Sequence, residues 1–109
     1  MTERHFLMRC LHHPGMDAAR DAHRADHRAW VQSGGEGVAR VLIGSALLDD
    51  AGGAVGNFGI LAAAGMAEAR AFAEGDPFAR AGIVAEIELT PLPEGFQAHR
   101  ITDPMTPAA

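Results

Sequence analysis

The chain has 109 residues and a formal net charge of −5, with 48% hydrophobic and 21% charged residues. This composition is typical of one globular domain with a single core, and it excludes a disordered chain. The nine positively charged residues are all arginines, and they are scattered along the sequence. An acidic chain without a basic cluster does not fit a protein that binds nucleic acids or anionic membranes.

Three features predict a cytoplasmic protein without a membrane-spanning segment. The longest apolar runs are too short to cross a bilayer, and the charged start MTERHFLMRC lacks the apolar region of a signal peptide. The one cysteine, Cys10, cannot form an internal disulfide, which fits a reducing compartment. Its place in an apolar run favours a buried core residue over a nucleophile.

The first half of the chain predicts a strand, a helix and a second strand. In residues 4–12, both the even-numbered and the odd-numbered positions include apolar residues, which indicates a strand covered on both faces. Residues 16–33 are rich in alanine and charge and predict a helix, which the glycines of residues 34–37 end. Residues 38–48 predict the second strand, and residues 49–56 predict a hairpin loop.

The second half predicts a strand over 57–64, a short helix over 66–74, one further turn at FARAG and a last strand over 83–92. The resulting order is βαββαβ. It indicates an α+β domain of the ferredoxin-like type, which is an antiparallel sheet with both helices on one face.

We therefore expect a domain over residues 1–92 and a tail over 93–109. The tail is rich in proline and small residues, so we expect it to be loose or laid over a neighbour. The strands are apolar on both sides, and an uncovered apolar sheet face is an association surface. The sequence thus predicts a homodimer that packs sheet on sheet.

Stepping along the first helix at about 100° per residue puts five residues on one narrow arc. They are Met16, Ala19, His23, His27 and Trp30. The tryptophan and the methionine mark this arc as the one that faces the core, so we expect His27 to point inward. An inward histidine is either a space-filling residue with one satisfied hydrogen bond or one member of a reacting pair.

Asp76 is the candidate partner of His27. A carboxylate that accepts from one ring nitrogen leaves the other nitrogen free to take a proton, and Pro77 would hold the turn that presents this carboxylate. The local sequence also fits a simpler role, in which Asp76 caps a helical turn at PFAR with proline at its first position. The sequence leaves both roles open.

Two other constellations give weaker hypotheses. His23 and His27 have the i, i+4 spacing of a metal site, but Arg24 stands where the zincin motif has glutamate. We therefore expect no metal. Ser45 lacks the G-x-S-x-G elbow of a nucleophile, so a pocket hydroxyl or a plain strand residue explains it better.

Three stretches of the sequence carry a family signature. They are RADHRAWV with His27, the hairpin VLIGSALLDDAGGAVGNFGIL, and AEARAFAEGDPFARAG with Asp76. In order and spacing they resemble the YciI-like family, from residue 5 to about residue 92. The resemblance implies a dimeric α+β barrel of ferredoxin-like protomers, akin to muconolactone isomerase, with a site built from His27 and Asp76. Related dehydrochlorinase-type enzymes act on chlorinated hydroxyquinones, which implies small cyclic or aromatic acids and phenols as ligands.

The chain departs from this pattern at two places. Ser45 stands where many members carry proline, which adds a hydroxyl and a backbone N–H to the expected pocket wall. The first strand and the residue after it add Arg9 and the pair His12 and His13, which we do not associate with the family. Arg9 fits either a ligand carboxylate or an ion pair with Glu86 or Glu88 on a neighbouring strand.

These observations favour a small enzyme that needs no cofactor. His27 would act as a general base, oriented by Asp76, on a small organic acid, lactone or phenolic substrate in lyase, isomerase or dehydrohalogenase chemistry. The residues expected to bind this substrate are Arg9, His12, Arg24, Ser45 and Phe78. The alternatives are a non-catalytic ligand-binding or accessory dimeric domain and a purely structural dimer module.

Overall fold

Four strands and three α-helices follow one another along residues 3–108, which are the part of the chain that this computed structural model describes. Their bounds are β1 Arg4–His12, α1 Asp17–Gly37, β2 Arg40–Leu48, β3 Ala54–Ala63, α2 Met66–Gly75, α3 Pro77–Arg80 and β4 Val84–Pro91, and a 3-10 turn follows at Ala98–Arg100. The predicted βαββαβ order of a ferredoxin-like domain is confirmed, with α3 as the further turn after α2. Within the described residues, no helix is both long and apolar enough to cross a bilayer.

The hairpin between β2 and β3 is tighter than the sequence predicts, and β3 begins at Ala54. The cause is Asp49, whose Oδ1 accepts from the backbone N–H groups of Ala51 and Gly53 at 3.0 and 2.8 Å. This side chain closes the turn within a few residues. The chain can therefore pair again three residues before the predicted start of the strand.

The sheet is antiparallel in the order β2-β3-β1-β4, with β3 and β1 at its centre. Side chains alternate between its faces, and Phe6, Met8 and Cys10 of β1 are buried on the face toward the helices. These three residues form the core together with Leu61 of β3 and Phe72 of α2. The core thus lies between the central strands and the helix layer.

The opposite face of the sheet is also apolar. The register aligns Leu7 with Ile60 and Ile60 with Ile43, and the alternation places Leu11 and Phe58 on the same face. Ile43 is 48% exposed, and the other four residues are half-buried. This open face therefore presents apolar side chains beyond the helix-covered core.

A left-handed turn ends α1. Gly34, Gly35 and Glu36 have φ angles of 63°, 63° and 61°, which is a conformation that favours glycine. A Cβ atom on Gly34 would lie 2.2 Å from the carbonyl oxygen of Ala39, and one on Gly35 would lie 2.9 Å from the ring of Trp30. The glycines let the chain turn tightly into β2, at the place where the sequence predicts the end of the helix.

The tail differs from expectation because it packs against its own domain. The backbone N–H of Thr106 donates to the carbonyl oxygen of Val41 on β2 at 2.9 Å. The Thr106 hydroxyl accepts from the N–H of Val41 at 2.9 Å and donates to the carbonyl oxygen of Val31 on α1 at 2.6 Å. Thr106 is buried, so the tail ties α1 to β2 and places Met105 between them.

Candidate active site

The side chains of His27 and Asp76 lie within hydrogen-bond distance of each other. His27 Nδ1 is 2.8 Å from Asp76 Oδ2 and 2.9 Å from Oδ1, although the two residues are 49 positions apart in the sequence. A carboxylate only accepts hydrogen bonds, so Nδ1 carries the proton and donates it. The lone pair of the neutral imidazole is then on Nε2, which makes no hydrogen bond to the residues described.

Asp76 also caps α3. Its Oδ1 accepts from the backbone N–H of Phe78 at 2.8 Å, and Pro77 occupies the first helical position. A carboxylate has about four lone-pair sites, so the cap and the bond to His27 coexist. The two roles that the sequence leaves open are therefore not exclusive, and the buried cap holds the carboxylate in place.

Phe78 fixes the plane of the His27 ring. The two rings are stacked with centroids 4.2 Å apart and an interplanar angle of 3°, and Phe78 is 5% exposed. The DPF segment thus supplies both the carboxylate that bonds to Nδ1 and the ring that covers one face of the imidazole. Rotation of the imidazole away from Asp76 would break both contacts.

Trp30 connects α1 to the end of α2, directly before Asp76. Its indole N–H donates to the carbonyl oxygen of Phe72 at 3.1 Å. A Cβ atom on Gly75 would lie 2.6 Å from the Trp30 ring, which is closer than atoms can pack. Gly75 therefore permits the approach of the helices that brings Asp76 to His27.

We expect Gly75→Ala to lower the free energy of unfolding by about 1–3 kcal/mol because it overpacks this contact. In an open helix position the same change stabilises by about 1 kcal/mol. A decrease in the free energy of unfolding would therefore come from the clash with Trp30. Chemical denaturation measures it. Gly95→Ala is the control, since no atom of the described part of the chain lies within 4 Å of its added Cβ. A Gly75→Ala variant as stable as the wild type would contradict the close approach.

A cavity of about 100 Å³ lies beside the pair, between α1 and the sheet. His27, Asp76, Ser45, Asn57 and Met105 line this His27 cavity together with apolar side chains. It is smaller than the roughly 150 Å³ cavity that holds a benzene molecule. A ring-sized ligand therefore needs space beyond it.

That space lies along the outer side of α1. A groove of about 510 Å³ is lined by Arg24, His27, Arg28, Val31, Gln32 and Met105. His27 and Met105 line both the groove and the His27 cavity. The Met105 side chain, which is 46% exposed, therefore stands where the two spaces meet.

The five residues expected to bind substrate lie at different distances from His27. Phe78 stacks on it, Ser45 lines the cavity, and Arg24 lines the groove with its guanidinium paired to Asp21 at 2.8 Å. His12 contacts the cavity residue Asn57.

Arg9 is not brought to the site. It is exposed and lies opposite Phe58 in β3 and Glu88 in β4, on the sheet face away from the helices. Strand alternation explains this position, because Met8 and Cys10 on either side of Arg9 both point into the core.

Two polar residues near the site were missed by the sequence reasoning. Arg20 is 6% exposed, and its guanidinium donates to Nδ1 of His12 at 3.1 Å. Nε2 of His12 is 2.8 Å from Oδ1 of Asn57. Arg20 precedes His27 by seven residues on α1, so helical spacing could have placed it on the inward arc; Asn57 has no such signal.

The thiol of Cys10 is close to these groups but is not a reactive one. Burial, with a smaller contribution from the negative charge of Asp76, raises the pKa of Cys10 to about 12. A thiol with that pKa stays protonated at neutral pH and is a poor nucleophile. Cys10 therefore acts as a small apolar residue of the core.

Comparison with known proteins identifies a family and a similar solved structure. The model of the family described as YCII-related domain matches residues 5–93. The solved structure of 5-chloro-2-hydroxyhydroquinone dehydrochlorinase (TftG) from Burkholderia phenoliruptrix AC1100, in complex with 2,5-dihydroxybenzoquinone, is similar with a TM-score of 0.70 and 26% sequence identity. The similarity covers 84% of this chain and 95% of that chain. A search of curated proteins finds no match.

Proposed function

Because the chain belongs to the family of proteins with a YCII-related domain, we propose that it is a small enzyme that works without a cofactor on a hydroxylated cyclic substrate. His27 is the general base, and Asp76 orients it. The observation that carries the proposal is the 2.8 Å contact between Nδ1 and the buried carboxylate, which leaves the basic nitrogen Nε2 at a cavity with no hydrogen bond to residues 3–108.

The similar structure supports the proposed substrate class. That protein is named for the dehydrochlorination of 5-chloro-2-hydroxyhydroquinone and was solved with 2,5-dihydroxybenzoquinone. Loss of HCl from such a ring sends one proton to a base and one chloride ion to solvent, and it needs no external oxidant. A single correctly oriented imidazole can supply that base.

The walls around His27 suit a flat ring with oxygen substituents. Val31, Phe72 and Met105 offer apolar surface to a ring face, while Asn57 offers a polar group at its edge. Such a mixture is usual for small-molecule sites.

Two arginine side chains lie at the entrance to this site. Arg24 and Arg28 line the groove that leads to His27. Their positive charges favour the approach of a phenolate or a hydroxyquinone anion.

Anaerobic incubation with 5-chloro-2-hydroxyhydroquinone tests the proposal, with chloride release followed by an ion-selective electrode. Calorimetric titration with 2,5-dihydroxybenzoquinone tests binding separately. We expect both turnover and saturable binding. Binding without chloride release would favour the non-catalytic ligand-binding alternative, and the absence of both would reject a hydroxylated ring as the ligand.

We also propose that the protein is a homodimer joined through the open sheet face of Leu7, Ile43 and Ile60. Light scattering after gel filtration should give twice the 11.4 kDa mass of the chain. Ile60→Asp should produce a monomer, because a carboxylate in a packed apolar interface is strongly unfavourable. Val55→Asp is the control, since Val55 lies near the start of the same strand and its side chain is already 38% exposed. A folded Ile60→Asp dimer would contradict this interface.

A further inference from the structure

Three buried or half-buried polar residues beside the His27 cavity form a connected set: Arg20 on α1, His12 at the end of β1 and Asn57 on β3. We call this set the Arg20 cluster. Arg20 is also held by the carboxylate of Asp17 and by the carbonyl oxygen of Ala54 at 3.4 Å. Its guanidinium is therefore fixed from several sides while it faces His12.

The hydrogen bonds of the Arg20 cluster can run in only one direction. A guanidinium has donors but no acceptor, so His12 Nδ1, at 3.1 Å from Arg20, must accept. A neutral imidazole then carries its proton on Nε2 and donates it to Oδ1 of Asn57 at 2.8 Å. Burial and, to a smaller extent, the Arg20 guanidinium lower the pKa of His12 against the opposing effect of the Asn57 hydrogen bond, which favours this neutral form.

The orientation of the Asn57 amide is a consequence of this direction. Because Oδ1 accepts from His12, the NH₂ group is the part of the amide left for another partner. It makes no hydrogen bond to the residues described, and Asn57 lines the same cavity as His27 and Asp76. The cavity therefore contains a hydrogen-bond donor whose orientation is set by two residues behind it.

We infer that the Asn57 amide donates a hydrogen bond to a substrate oxygen in the His27 cavity, and that Arg20 and His12 are positioning residues that fix this amide. The inference rests on the proposed function. When His27 removes a proton from a hydroxylated ring, negative charge develops on the ring oxygens. A donor already aimed at such an oxygen stabilises that charge without reorganising.

Asn57→Leu tests the inference, because leucine keeps a similar shape and removes the donor. We expect chloride release from 5-chloro-2-hydroxyhydroquinone to fall by about 10²-fold or more, mainly in kcat, as for loss of one oxyanion donor. Gln97→Leu removes an exposed amide outside the site and should leave the rate unchanged. Equal rates for wild type and Asn57→Leu would overturn the inference while leaving the proposed function intact. No turnover by the wild type would overturn both.

A second measurement does not depend on catalysis or on Asn57→Leu folding. Long-range ¹H–¹⁵N spectra of the free wild type should show His12 with a protonated Nε2 and a bare Nδ1. Arg20→Met removes the group that can only donate to Nδ1, so it should give a mixture of His12 tautomers and a lower affinity for 2,5-dihydroxybenzoquinone. Arg20→Lys keeps a side chain that only donates. It should therefore keep both the wild-type tautomer and the wild-type affinity. A wild-type His12 protonated on Nδ1 would overturn the inference.

Discussion

A His27→Asn variant should release chloride from 5-chloro-2-hydroxyhydroquinone about 10²–10⁴-fold more slowly than the wild type, which is the usual contribution of a positioned base. Asparagine places an amide N–H near the position of Nδ1, so a donor toward Asp76 remains. What it removes is Nε2, the nitrogen at the cavity. The loss should therefore appear in kcat while the domain stays folded.

The matched control is His23→Asn, one turn earlier on the same helix and also half-buried. It repeats the change in helix propensity and polarity without touching the pair. Initial rates of both variants, with circular dichroism to compare their melting, separate chemistry from folding. A His27→Asn protein that retained the wild-type rate would remove His27 from the role of base.

Asp76→Asn should cost a similar or larger factor in turnover, and for a different reason. The amide oxygen can keep the cap by accepting from Phe78 N–H, which leaves the NH₂ group facing His27. Nδ1 must then accept, the proton moves to Nε2, and the base is lost although the geometry is preserved. The same exchange in a Ser-His-Asp triad lowers kcat by about 10⁴ through the wrong tautomer.

Asp76→Ala distinguishes the two roles of this carboxylate. It should lose activity and also about 0.5–2 kcal/mol of stability through the missing helix cap, whereas Asp76→Asn should lose activity alone. Urea denaturation alongside the chloride assay makes the comparison. If both variants turned over normally, Asp76 would be a cap and nothing more.

Much of the site follows from local patterns that the sequence displays. Helical spacing placed His27 on the arc of Trp30, and that arc does face the core. The segment of Asp76, Pro77 and Phe78 reads as a capped turn, and the structure contains that cap. These features are predictable because each depends on residues within one or two turns of chain.

The Arg20 cluster could not be found in this way. Its geometry depends on the register that sets Cys10 of β1 against Asn57 of β3 and on the position of α1 over the sheet. Alternation from Cys10 places His12 on the helix side of the sheet, but no residue type in the sequence indicates which residue of β3 lies beside it. Arg9 is the opposite case, since alternation from the core residue Cys10 already places it on the far face.

Met105 and Thr106 lie beyond the matched family domain, which ends at residue 93. Nevertheless, Met105 borders the cavity, and the next residue, Thr106, anchors this segment to α1. Under the proposed function, access to the cavity and the chemistry inside it are thus encoded in separate parts of the gene. Chimeras that exchange only the C-terminal segments of relatives would change which molecules enter while preserving the reacting groups. That separation gives substrate range a route to diverge without mutation of the histidine or the aspartate.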